Sequence, residues 1–324
     1  MSEHQQNMLR PFWSQSHSLR STQSGGSRKG NAAHVKPHIK TKKGPLGDSA
    51  LDNKVATVIS FQMLKGGVAK TTSALNVGIR ASHLGLKVLL VDLDQQANLS
   101  FAAGATDPNL AVWVDIIDQK VSIEKTILPI CEGLDLIPSN LNNSVLEKVL
   151  SRSHRNWVTC VQAPLNQIKN RYDWIIIDTA PSLSMLNTAV TYASDLIILP
   201  VTPDPFALLG LQKHLQELEE IKKDFHLSGL HYKILFSRFD AREILSQKYL
   251  DYLCTNFKDF LLDSYIRVNS DIKKVQGSSG KSIFQLKSAA SEDYDLVTKE
   301  LIHWWKENCN AQYQITKEES IISK

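Results

Sequence analysis

The sequence predicts an α/β fold built on a doubly wound, mostly parallel sheet, and three observations carry that expectation. Its candidate strands are continuous apolar runs, the texture of strands covered on both faces. Segments of helical period lie between them. The strongest runs end in aspartate or in a glycine-rich turn, as strands do when their carboxyl ends line a ligand crevice.

Taken in order, residues 55–61 form a first strand, because β-branched and apolar side chains suit a buried, pleated surface. A glycine loop follows, then a helical pattern over 73–84. Leu86 to Asp92 reads as a second buried strand, so the segment from 55 to 92 is a βαβ unit. The alternation continues with a short strand at 134–137, a helix near 143–151 and the apolar strand from Trp174 to Asp178. A helix at 183–192, a strand at 196–201, a helix at 208–223 and a strand at 232–237 complete it. No repeat or break in composition divides residues 55–305, which read as one domain, followed by a polar tail at 306–324.

Hydrophobic residues make up 42% of the 324 and charged residues 22%, enough for a full core. The most apolar stretch, Val190 to Val201, is short and carries Asp195, so no membrane span is expected. The apolar residues of 296–306 suit a helix docked on the core through Leu301 and Trp305, and its polar continuation argues against a membrane anchor. The four cysteines form no CxxC pair for zinc or an iron–sulfur cluster, and a cytoplasmic setting is the simplest expectation. The net charge of +4 hides an asymmetry: residues 1–54 carry nine basic and three acidic groups, and the remaining 270 carry 28 and 30. Rich in Ser, Gln and Gly, the arm reads as a flexible tail, with attraction to nucleic acid as its second reading.

The decisive segment runs from Lys65 through Gly66, Gly67, Val68, Ala69, Lys70 and Thr71 to Thr72, between a strand and a helix. A glycine-rich turn there aims backbone N–H groups at a phosphate chain, and the helix N-terminus adds a favourable dipole. Lys70 would neutralise the β- and γ-phosphates and the Thr71 hydroxyl would ligate Mg²⁺, the P-loop NTPase arrangement. Against the general pattern GxxxxGK[ST], Leu64 and Ala69 occupy the two glycine positions, so the loop is a deviant one. A carboxylate must share the metal. Asp178 closes an apolar run in the manner of a Walker B residue, and Asp92 and Asp94 close the neighbouring strand, where one of the pair could position the attacking water.

With KGGVAKTT, VLLVDLDQQANLS, IIIDTAPSLS and ILPVTPDPFALLGL in that order, the chain resembles the ParA-type partition ATPases, within the group that also contains MinD. The resemblance spans about residues 55–303. It implies that Lys65 is the signature lysine reaching the partner's nucleotide in an ATP-bound homodimer. By the same resemblance Lys70, Thr71 and Thr72 contact phosphate and magnesium, Asp94 orients the hydrolytic water and Asp178 is the Walker B aspartate. Ser237, Arg238 and Asp240 fall where the family contacts adenine. The stretch 266–281 resembles a DNA-binding region, with Arg267, Lys273, Lys274 and Lys281 as its basic candidates. ATP and Mg²⁺ as cofactors, a ParB-like adaptor, non-specific DNA and association with the nucleoid when ATP is bound follow as expectations. The family's DPQ reads Asp94-Gln95-Gln96 here, and its DxPP reads Asp178-Thr179-Ala180-Pro181; both changes spare the carboxylates, so slow hydrolysis is expected to survive. Residues 1–54 leave no room for a helix-turn-helix domain, so sequence-specific operator binding is not expected. A MinD-like positioning ATPase for a membrane or envelope complex is the alternative.

Overall fold

The computed structural model of the chain describes residues 55–152, 157–276, 280–286 and 288–322. The basic arm at 1–54 lies outside the described residues. β1 (Thr57–Phe61) leads through the glycine loop into α1 (Lys70–His83) and β2 (Val88–Asp92). Two short helices, α2 (Asn98–Ala103) and α3 (Trp113–Ile117), precede β3 (Leu128–Cys131) and β4 (Leu134–Ile137). Then come α4 (Leu146–Arg152), α5 (Gln162–Asn166), β5 (Trp174–Asp178), α6 (Met185–Ala193), β6 (Leu196–Val201), α7 (Pro205–Asp224) and β7 (His231–Phe239). α8 (Ile244–Asn256), β8 (Ile266–Arg267), α9 (Ser270–Gln276) and α10 (Ala289–Ile322) follow.

The strands form one eight-stranded sheet in the order β3-β4-β2-β5-β1-β6-β7-β8. All neighbours are parallel except β3 and β4. β1, β2, β5 and β6 are buried along their whole length, as their unbroken apolar runs predict. Because side chains alternate across a strand, each run must be covered twice. On one face Ile59, Phe61, Leu90 and Ile176 pack under α1 and α10; on the other Val58, Leu89, Ile175 and Ile177 pack under α3 to α6. Gly78 lets α1 approach the sheet, since a Cβ there would sit 2.7 Å from Leu90 Cδ2.

Two strands go beyond those expected. β3 alternates half-buried and exposed residues around Pro129, and β8 has only two residues, so neither offers an apolar run; both sit at sheet edges, where such sequences are tolerated. α10 docks as expected: Leu301 is buried, the Trp305 indole N–H donates to Thr57 Oγ1 at 2.9 Å, and its ring meets Trp174 edge to face. The 305/306 boundary has no counterpart in the backbone, which stays helical to Ile322. Trp305→Ala should therefore lower stability by about 2–3 kcal/mol, read as a fall in Tm, because it removes both the ring packing and a hydrogen bond that ties α10 to β1.

Candidate functional site

The site lies where β1, β5 and β2 end side by side. Register pairs Phe61 with Asp178 and Asp178 with Asp92, so the strand that launches the glycine loop and the two strands closed by aspartate finish at one level. Ligands of such sheets bind at this carboxyl edge. The loop turns through Gly67 at φ +76° and enters α1 through Ala69 at φ +70°. Ala69 stands where the general phosphate-loop pattern has glycine, and the left-handed backbone shows why glycine is usual there. A Cβ in that region costs about 1–2 kcal/mol, a strain this loop carries. Gly66 lies against Pro181, which brings the segment after β5 onto the loop.

Lys70 opens α1 and is buried, with its ammonium 3.4 Å from the Lys65 carbonyl oxygen. Burial pushes its pKa down, while the charges of Asp178 and Asp94 hold it up. Asp178 is fully buried, and neither of its oxygens has a well-formed hydrogen bond among the described residues. Burial lifts its carboxyl well above the usual range and Asp92 adds to the rise; the Thr71 hydroxyl and Lys70 oppose it. A buried carboxylate with no well-formed hydrogen bond at either oxygen, beside the Thr71 hydroxyl, offers oxygen ligands that fit a hard divalent cation.

Asp92 is also fully buried and its carboxyl is pushed up to about 6 by burial, partly offset by its hydrogen bonds. Asp94, nearly buried, accepts the Gln96 N–H at 2.9 Å and begins the turn into α2. Lys65 does not stand free. Its ammonium bonds Asp204 Oδ1 at 2.5 Å, and that carboxylate also caps α7 through the Ala207 N–H and takes the Thr202 hydroxyl. The contact of Asp204 with the glycine loop is one that the sequence does not reveal. Aspartate before Pro205 is a readable helix start, but nothing in the sequence points that cap at a lysine 139 positions away. Beside the pair, Leu183 and Phe206 are exposed at 64% and 72% around a depression of about 430 Å³ that Lys65 and Lys213 also line.

The residues expected near adenine and DNA are less uniform. Ser237 is fully buried with its hydroxyl unpaired among the described residues, Arg238 is exposed with φ +61°, and Asp240 is held by the Arg242 guanidinium. Arg267 forms a two-pronged pair with Asp293 on α10, so its charge is largely neutralised within the fold. Lys274 is exposed yet paired with Asp271, and Lys273 and Lys281 are exposed.

An AAA-domain family model matches residues 56–229. The virulence plasmid ParA family protein pGP5-D of Chlamydia psittaci is 32% identical over 250 residues, covering 75% of this chain and 93% of that protein. The sporulation initiation inhibitor protein Soj of Bacillus subtilis is 30% identical over 248 residues, covering 75% and 97%. Among solved structures, cobyrinic acid a,c-diamide synthase of Mycobacterium smegmatis, with a bound ATP analogue and magnesium, superposes with a TM-score of 0.68 at 25% identity over 78% of this chain and 96% of that one. Since a family model spans more than half of the sequence, and relatives of this identity are matched almost end to end, the chain belongs to the ParA-type partition ATPases.

Proposed function

We propose that the protein is a Mg²⁺-dependent ATPase that ATP assembles into a homodimer, and that the dimer binds DNA non-specifically and drives partition of a plasmid or chromosome with a ParB-like partner. The observation that carries this reading is the buried Lys70, set at the start of α1 at the carboxyl edge of the sheet and within reach of the charges of Asp178 and Asp94. In that position its ammonium meets the β- and γ-phosphates while the loop from Lys65 to Thr72 offers backbone N–H groups to the chain. Thr71 and Asp178 would hold the magnesium, which when bound supplies charge neutralisation at the transferring phosphoryl group. Asp94 accepts a hydrogen bond from the attacking water and fixes its line of approach. The ATP analogue and magnesium in the similar synthase support the choice of ligands.

Lys65 is the residue we assign to the partner's nucleotide. To reach it, the ammonium must leave Asp204, and the exposed Leu183 and Phe206 beside it give the two protomers apolar surface to bury. Lys65→Ala should leave nucleotide binding to the monomer in place and abolish ATP-dependent dimerisation measured by light scattering. A variant that dimerises normally with ATP removes the cross-dimer role.

DNA binding has two candidate sources, the arm with its excess of basic residues and the local charges of Lys273, Lys274 and Lys281 brought together in a dimer. The body carries 28 basic and 30 acidic groups and gives no overall attraction. Sedimentation with plasmid DNA, with and without ATP, on the full chain and on a chain lacking 1–54 tests both. The expected result is binding that needs ATP, survives truncation with a modest loss and falls steeply with salt, because released counterions drive it. Affinity indifferent to ATP and salt defeats the proposal, and ATP-dependent sedimentation with anionic vesicles instead of DNA points to the membrane-positioning alternative.

A further inference from the structure

Asp92, Ser100, Ser139 and Asn143 have no assigned part in the chemistry above, yet they form one continuous buried chain of hydrogen bonds that starts at the Asp94 loop. Asp92 Oδ1 accepts the Asp94 N–H at 3.1 Å, while its Oδ2 accepts both the Ser100 N–H at 2.8 Å and the Ser100 hydroxyl at 2.7 Å. The same carboxylate therefore pins both ends of the segment 94–100. It also supplies what the start of α2 lacks: Ala97, at φ +53°, offers no side-chain cap, and Ser100 is the third residue of that helix. An unpaired N–H at that position would otherwise be buried, so Asp92 is held to its place by a backbone demand.

The chain runs on from Ser100. Its hydroxyl oxygen accepts the Ser139 N–H at 2.8 Å, the Ser139 hydroxyl accepts the Asn143 amide at 2.8 Å, and the Asn143 carbonyl accepts the Val114 N–H at the start of α3 at 3.1 Å. Asp92 and Ser100 are fully buried, and Ser139, Asn143 and Val114 are exposed by no more than 5%. The Ser100 hydroxyl both donates and accepts along the chain, so removing it leaves a buried donor without a partner, which costs more than a bond lost at the surface. Such a chain holds the loop that carries Asp94 against the segment after β4 and against α3, elements outside the phosphate loop.

We infer that Ser100 and Asn143 are positioning residues of the hydrolytic step, acting through Asp92 to hold the Asp94 loop in the geometry that aligns the attacking water. The inference rests on the proposed role of Asp94. It predicts a split in what is lost: the contacts to nucleotide come from Lys70, Thr71 and Asp178, none of which Ser100 touches in the bonds described, so affinity should survive while the rate falls. An error of about 1 Å in placing a reacting group costs on the order of 100-fold in rate.

The test uses the full chain in four versions, Ser100→Ala, Ser100→Thr, Asn143→Ala and Asp94→Ala, each checked for Tm. Three quantities are read: ATP affinity, single-turnover phosphate release, and amide exchange of residues 93–97 without nucleotide. Ser100→Ala should slow phosphate release by about tenfold or more with affinity changed less than about twofold, and Ser100→Thr, which keeps the hydroxyl, should recover most of the rate. Amide exchange over 93–97 should quicken in Ser100→Ala and in Asn143→Ala but not in Ser100→Thr. Asn143→Ala should slow release in the same sense, and combining it with Ser100→Ala should add little, because both cut one chain. Parental rate and exchange in Ser100→Ala, or a loss of affinity that accounts for the whole loss of rate, overturns the inference. Asp94→Ala separates the two failures: if it turns over normally, the role given to Asp94 falls, whereas the exchange data still decide whether Ser100 and Asn143 hold the loop.

Discussion

Lys70→Ala should lose nucleotide binding almost completely, with ATP affinity weakened by at least ~100-fold. The lysine is the only buried cation among the described residues at this edge of the sheet, and it faces two carboxylates, Asp178 and Asp94. Without it, the triphosphate would enter a site with no buried cation to meet its charge. The loop amides and the α1 dipole would remain, but partial charges do not replace a whole ammonium in a site of low dielectric. The protein itself should also become less stable, because Asp94 loses the charge that offsets its own. Calorimetric titration with an ATP analogue, together with Tm in its absence, reads both effects. Retention of near-parental affinity would move the phosphate site away from this loop.

Asp178→Asn should act in opposite directions on stability and on function. In the unliganded chain Asp178 is a buried acid without well-formed hydrogen bonds, and its carboxyl holds its proton well above the ordinary value of 3.8. Between the unfolded and the raised folded value the folded chain binds more protons than the unfolded chain, so its stability falls as pH rises through that window. Asp92, raised to about 6, contributes with the same sign. The neutral amide removes the larger part of this penalty. Asp178→Asn should raise the stability of the unliganded protein near pH 8 by about 1–3 kcal/mol, flatten the dependence of Tm on pH, and abolish the stabilisation that Mg²⁺ with ATP gives the parent. A variant less stable than its parent near pH 8 would show that the Thr71 hydroxyl and Lys70 already satisfy the carboxylate in the folded chain, which is then not waiting for a cation. A trade of this kind, stability given up at a functional position, is common where a ligand completes the site.

Much of this site is legible in the amino-acid sequence, for identifiable reasons. A strand covered on both faces must be apolar throughout, so Thr57–Phe61 and Trp174–Asp178 announce themselves, and an acid closing such a run stands out. The glycines at 66 and 67 mark a turn whose backbone must approach something closely. What stays hidden depends on tertiary contact. Arg267 is a plausible DNA ligand in sequence, and only the packing of α10 on β8 shows that Asp293 holds its guanidinium. Lys65 meets Asp204, and Ser100 meets Ser139, across separations no periodic pattern encodes. β3 and β8 escape notice because an edge strand needs no apolar run. Ala69 is the instructive case. Its departure from glycine is visible in the sequence, but that the loop nonetheless keeps the left-handed turn is visible only in the backbone.

The hydrogen bond from Trp305 to Thr57 marks the end of β1 that lies away from the phosphate loop. Thr57 begins β1, and the other end of that strand, which leads into the phosphate loop, is about 13 Å away at the usual rise per residue. The junction with the arm at Val55 and the point where α10 crosses the sheet thus lie on the pole of the molecule opposite the face that carries Lys65, Leu183 and Phe206. A fluorescent protein or affinity tag joined directly to Val55 is attached on the far side from the surface where two copies would meet in the proposed dimer, so such a label is expected to report that assembly without obstructing it.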